Sequence, residues 1–205
     1  MAINNIVDES FIINQKKLKQ FGDRCSNVKI GIMGGTFDPI HYAHLATAEF
    51  IRDNYKLDKI LFIPSGNPPH KKGNITDKYD RYNMVLLSTV NNDDFIVSDI
   101  EIKREKSTYT IDTLKVLKQI YKNAEIYFIT GADAICDIET WKDVEGNFKL
   151  ANFIAATRPG ISLLRANEKI KELKDKYNAN IESVYVPSLD ISSTYIREQL
   201  NKHKT

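Results

Sequence analysis

The sequence predicts an α/β fold: a mostly parallel sheet with helices on both faces. Two observations carry this. Short apolar runs bounded by turn residues alternate with longer segments of helical period along most of the 205 residues. The polar and glycine-bearing segments fall just after the apolar runs, where such sheets bind ligands.

The first strand is predicted from Val28 through Ile30, Ile32 and Met33, and it breaks at the pair Gly34-Gly35. Leu45, Ala48, Ile51 and Tyr55 form the first helical stripe, and Lys59–Pro64 is a second strand stopped by proline. A turn-rich loop from Ser65 to Lys72 leads to a helix marked by Tyr79, Tyr82, Leu86 and Val90, with Thr76 as its predicted cap. Phe95–Ile100 is a third strand, followed by a helix carrying Ile111, Leu114, Leu117 and Tyr121. Ile126–Ile129 is a fourth strand, and Ile135, Ile138 and Trp141 mark a short helix after it. Asn152–Ala156, the stripe Leu163 to Tyr177, Val184–Val186 and a helix from Ser192 to about His203 complete a Rossmann-like alternation. Residues 1–27 are polar and Asn/Lys-rich with a weak helical pattern from Phe11 to Phe21, and read as a loosely ordered extension of a domain spanning 28–205.

Composition excludes several classes. A hydrophobic share of 42% is that of an ordinary soluble domain, and no apolar run reaches the ~18 residues that cross a bilayer. A net charge of +2 gives no case for a nucleic-acid partner. Cys25 and Cys136 lie far apart with no C-x-x-C, which fits a reducing, cytoplasmic setting. A homo-oligomeric state stays open.

The stretch Gly34-Gly35-Thr36-Phe37-Asp38-Pro39, followed by His41 and His44, carries the strongest chemical signal. Glycines let a ligand approach the main chain, and Pro39 suits a turn or a helix start. His41 and His44 then lie i,i+3 on the first helical turn, beside N–H groups that favour phosphate. A zinc site would need a third ligand, and the i,i+4 spacing of zinc-protease helices is absent. Near the other end, Ser192-Ser193-Thr194 and Arg197 open the last helix and make a second phosphate cradle.

Four further turns carry candidates. Pro68-Pro69-His70-Lys71 is either a solvated basic loop or a source of charge for a triphosphate. Thr108, Tyr109 and Thr110 either cap a helix or receive a carboxylate. Asp133 follows a strand end and suits ribose hydroxyls or a cap, and Trp141 is either core or a stacking surface. Arg158 sits in an Arg-Pro-Gly turn after the fifth strand.

Together, GG-T-F-D-P-x-H-x-x-H and I-S-S-T-x-I-R resemble the signatures of the nucleotidyltransferase superfamily, and bracket residues 30 to 197. With P-P-H-K, the T-Y-T-x-D-T-L segment and Trp141, the chain most resembles the bacterial nicotinate-nucleotide adenylyltransferases. Ala43 stands where that family commonly has glycine, and Thr108 where it has serine. The resemblance implies AMP transfer from Mg²⁺-bound ATP to nicotinate mononucleotide. Gly34, Gly35, Thr36, Phe37, His41, His44, Lys71, Ser192, Ser193, Thr194 and Arg197 would bind ATP, with His41, His44, Lys71 and Arg197 acting in catalysis. Thr108, Tyr109, Thr110, Asp133, Trp141 and Arg158 would bind the pyridine nucleotide. Magnesium would keep several waters, with no dedicated protein cage. The rival expectations are an adenylyltransferase preferring nicotinamide mononucleotide or phosphopantetheine, and a nucleotide-binding module without turnover. The absence of G-x-G-x-x-G after the first strand disfavours a dehydrogenase.

Overall fold

Consecutive apolar residues, rather than alternating ones, mark strands buried on both faces, and Leu61, Phe62 and Ile63 are all buried. The computed structural model describes residues 2–22, 26–68, 75–157, 163–186 and 189–202. The strands β1 (Ser26–Gly35), β2 (Lys59–Pro64), β3 (Phe95–Val97), β4 (Asn123–Gly131), β5 (Asn152–Thr157) and β6 (Ile181–Tyr185) form one sheet, ordered β3-β2-β1-β4-β5-β6. Every pairing is parallel. The order reverses between β1 and β4, so a crevice opens at their carboxyl ends.

The helices are α1 (Ala2–Gly22), α2 (Tyr42–Tyr55), α3 (Lys78–Thr89), α4 (Thr110–Ile120), α5 (Ala132–Cys136), α6 (Val144–Leu150), α7 (Leu163–Tyr177) and α8 (Ser193–Lys202). Ile30, Ile32, Leu61, Phe128 and Phe153 pack under Leu114, Ile135, Phe148 and Leu173 on one face. Met33, Ile60, Phe62, Ile129 and Ile154 pack under Ala48, Ile51, Val85 and Leu86 on the other. Among the described residues, no helix is long and apolar enough to cross a membrane.

Several expectations need correction. The third strand stops at Val97, because Ser98 Oγ accepts the Ile100 N–H at 3.3 Å and turns the chain. Asp77, not Thr76, caps α3, accepting the Tyr79 N–H at 2.8 Å. Trp141 ends a 3-10 turn (Ile138–Thr140) rather than lying in a helix, and α6 follows it unforeseen, capped by Asp143 on Gly146 N–H.

The largest difference is at the N-terminus. The segment expected to be loose is helical, and it lies along the free edge of β3. Asn14 Nδ2 donates to Val97 O and Asn14 Oδ1 accepts from Val97 N–H, both at 2.9 Å. The amide thus pairs with the strand edge as another strand would. Lys17 Nζ donates to Val90 O and Asn92 O just past the end of α3. Phe21 is buried against Tyr121, ring centroids 5.5 Å apart. Asn14→Ala leaves two backbone groups of the edge strand without this partner. We expect it to lower stability by about 2 kcal/mol in urea unfolding, with turnover unchanged. A loss below about 0.5 kcal/mol would mean that water serves the edge equally well.

Candidate active site

The crevice is built around the turn from β1 to α2. Phe37 has a left-handed backbone (φ 49°), unfavourable for an aromatic residue, and its ring is buried. Packing against Phe62 (centroids 6.0 Å) and edge-on to His44 (5.1 Å, 80°) holds it there. The ring folds back over Gly35, where a Cβ would lie 3.0 Å from its Cζ, so only glycine fits comfortably. The Asp38–Pro39 peptide is cis. His41 is the extended N-cap of α2, and its N–H donates to His44 Nδ1 at 3.3 Å. A neutral His44 therefore carries its proton on Nε2. The two imidazoles stack at 3.9 Å and 29°.

α8 closes on the same turn from the far end of the sequence. Ser193 Oγ donates to Pro39 O at 2.8 Å, and Arg197 Nη1 donates to Asp38 O. Ser192 Oγ caps the Tyr195 N–H at 3.1 Å, and Thr194 Oγ1 accepts from Arg197 Nη2 at 3.4 Å. Of the group expected as a phosphate cradle, Ser193 and Arg197 thus fasten the first turn in place, and Ser192 and Thr194 bond within the start of α8.

Two cavities lie side by side at this edge of the sheet. One, of ≈ 230 Å³, is lined by the Gly34–Asp38 turn, His41, His44, Thr47, Gly131 and Ser193. The other, of ≈ 190 Å³, is lined by Ser65, Pro68, Glu101, Thr108, Thr110, Thr113 and Trp141. Gly34, Gly35 and Thr130 line both, so the cavities meet across the end of β1. Trp141 stands edge-on to Phe128 at 6.0 Å.

The predicted residues distribute accordingly. Gly34, Gly35, Thr36, Phe37, His41, His44 and Ser193 gather at the first cavity. Thr108, Thr110 and Trp141 gather at the second. Tyr109 is the N-cap of α4 and faces Lys142, whose Nζ is 4.7 Å from its ring centroid, outside both linings. Asp133 is exposed and not a cap, since Gly131 holds that position. Its Oδ1 lies 2.2 Å from where a Gly131 Cβ would stand, at the rim of the first cavity. Lys71 and Arg158 lie outside the described residues.

Glu101 was not legible as a lining residue. It precedes the T-Y-T segment with no periodic signal, yet Thr113 Oγ1 donates to its Oε1 at 2.7 Å. Burial pushes its carboxyl above the usual range, while Thr113, Thr108 and Arg104 pull the other way.

A model of the cytidylyltransferase-like family matches residues 32–199. A chain from Thermoanaerobacter sp. (strain X514), named "Probable nicotinate-nucleotide adenylyltransferase", is 54% identical over 175 residues, 84% of this chain and 83% of its own. The chain belongs to the nicotinate-nucleotide adenylyltransferases of that family. A second such adenylyltransferase, from Desulfitobacterium hafniense (strain Y51), is 48% identical over 86% of both chains and carries the same name. Among solved structures, the Plasmodium falciparum nicotinic acid mononucleotide adenylyltransferase complexed with NaAD superposes with a TM-score of 0.71 at 27% identity. That match covers 84% of this chain and 83% of the other. In this adenylyltransferase α1 precedes the matched region entirely.

The turn that follows β2 is tightly packed. A Cβ on Gly66 would stand 2.2 Å from Glu101 O, a backbone atom that no rotamer change can move. Gly66→Ala is therefore expected to cost about 1–3 kcal/mol in urea unfolding. An unchanged midpoint would show the turn to be freer than its packing implies.

Proposed function

We propose that the chain transfers AMP from ATP to nicotinate mononucleotide, giving nicotinate adenine dinucleotide and pyrophosphate. The observation that carries this reading is the pair of cavities sharing Gly34, Gly35 and Thr130, one lined by two imidazoles and the glycine turn, the other by hydroxyls with a tryptophan. A dinucleotide product needs two adjoining seats with its bridging phosphates at the join.

An oxygen of the acceptor phosphate attacks the α-phosphorus, and the bond to the departing pyrophosphate breaks. The nucleophile is already anionic, so the enzyme supplies position and charge relief rather than a strong base. His41 and His44 donate to phosphate oxygens, His44 through Nε2 because its Nδ1 is taken. Thr194, the remaining N–H groups of Arg197, and Lys71 meet the β- and γ-phosphates. Magnesium would come with the triphosphate and neutralise charge on the transferred and departing groups, with Asp38 in the lining of the first cavity and Asp133 at its rim. Trp141 stacks on the pyridine ring, and the first turn of α4 with Thr108 and Thr110 receives the ring carboxylate. Asp133 and Arg158 hold the ribose and phosphate of the acceptor. A reducing cytoplasm suits the free thiol of Cys136.

One observation favours a second reading. An ionised Glu101 on the second cavity would repel a ring carboxylate and could accept from a carboxamide, which points to nicotinamide mononucleotide. Its raised pKa weakens that objection.

Pyrophosphate release with Mg-ATP decides between them. We expect strong preference for nicotinate over nicotinamide mononucleotide, no release with phosphopantetheine, and a loss of about 100-fold or more in His44→Ala. Preference for the amide would overturn the acceptor, no release at all would favour a binding module, and a His44→Ala rate within a few-fold of wild type would remove the histidine role.

A further inference from the structure

Arg81 is the bulkiest fully buried side chain among the described residues, 1% exposed, and none of the roles above uses it. It projects from the first turn of α3 towards the turns that follow β1 and β2. Among the described residues its guanidinium makes no ion pair, and it spends its donors on four backbone carbonyls. Nη1 donates to Thr36 O at 2.6 Å, Nη2 to Ser65 O at 2.7 Å and Gly66 O at 3.1 Å, and Nε to Thr76 O at 2.9 Å. Burial lowers its pKa, with Asp38 and Asp77 acting in the opposite sense, but a guanidinium stays charged throughout.

A buried charge is an expensive way to hold a loop. Its use here follows from geometry. Thr36 belongs to the turn that lines the first cavity, and Ser65 belongs to the turn that lines the second. Both turns leave the carboxyl ends of neighbouring parallel strands, where carbonyls have run out of ladder partners. Only a planar fork with five N–H groups reaches both turns at once, and a lysine ammonium could not span them. Ser65 N–H also donates to Gly35 O at 2.8 Å, and Glu101 O lies 2.2 Å from where a Cβ on Gly66 would stand. Arg81 thus ties the Thr36 turn of the first cavity to the Ser65–Gly66 turn that follows the neighbouring strand.

We propose that Arg81 is a positioning residue for the transfer reaction, holding the two substrate cavities at the separation that keeps acceptor phosphate and α-phosphate in line. It touches neither substrate and acts through the backbone of Thr36, Ser65 and Gly66. The inference rests on the two-cavity reading of the function. It predicts a loss in kcat rather than in binding, because each cavity keeps its own walls while their relative placement loosens.

The test compares wild type with Arg81→Ala and Arg81→Lys in pyrophosphate release, at a temperature where circular dichroism shows each chain folded. Displacements of about 1 Å in such reactions cost roughly 100-fold, and a loss of that order in kcat is expected for both variants. KM for each substrate should move less than about fivefold, since misplacement leaves each binding wall intact. Added methylguanidinium should restore part of the Arg81→Ala rate and leave wild type unaffected. Where Arg81→Ala does not fold, Arg81→Lys, which keeps the charge and the stem, carries the comparison. A kcat within about threefold of wild type in a folded variant, or a loss that appears in KM alone, would overturn the proposal. An inactive wild type would overturn the functional reading and this inference with it, whereas active variants beside an active wild type would overturn this inference alone.

Discussion

The turn from Gly34 to Pro39 is the constraint on which the rest of the site depends. Phe37 keeps a left-handed backbone there only because its ring is buried between Gly35, Phe62 and His44. That burial offsets a local strain of about 1–3 kcal/mol and turns carbonyls and N–H groups in defined directions. Three outside groups then hold the carbonyls: Arg81 on Thr36, Arg197 on Asp38 and Ser193 on Pro39. The turn itself lines the first cavity, beside the stacked imidazoles at the start of α2. Elements from the middle and the end of the sequence thus converge on one strand end.

Sheet topology explains why the second cavity lies where it does. Between β1 and β4 the winding reverses, so α2 and α4 sit on opposite faces and leave the carboxyl ends of both strands open. Gly34 and Gly35 on β1 and Thr130 on β4 are small enough to leave a floor common to both cavities. On one side the walls offer imidazole and peptide donors, suited to phosphate. On the other they offer Trp141 and threonine hydroxyls, suited to a flat ring with a polar substituent.

Much of this was legible in the sequence because it follows from period and turn chemistry. The strands, most helices and the Gly34–His44 and Ser192–Arg197 clusters all declare themselves by local pattern. What the sequence concealed was the satisfaction of backbone groups by distant side chains. Arg81 lies off the Tyr79, Tyr82, Leu86 and Val90 stripe that marks its helix in the sequence, yet it is the most deeply enclosed charge described. Asn14 lies in a polar segment that reads as loose, yet its amide completes the edge of β3. Ser193 and Arg197 read as ligand contacts, and each donates to a main-chain carbonyl of the first turn. No periodicity encodes such partnerships, since they depend on which carbonyls the fold leaves without a ladder.

The most direct test is a crystal structure of the chain with nicotinate adenine dinucleotide. The account predicts one molecule spanning both cavities, its bridging phosphates over Gly34 and Gly35 within reach of His41 and His44. Its pyridine ring would lie on Trp141, with the ring carboxylate at the start of α4. A dinucleotide lying elsewhere, or one whose pyridine leaves the Trp141 cavity empty, would contradict the division of the site into two adjoining seats.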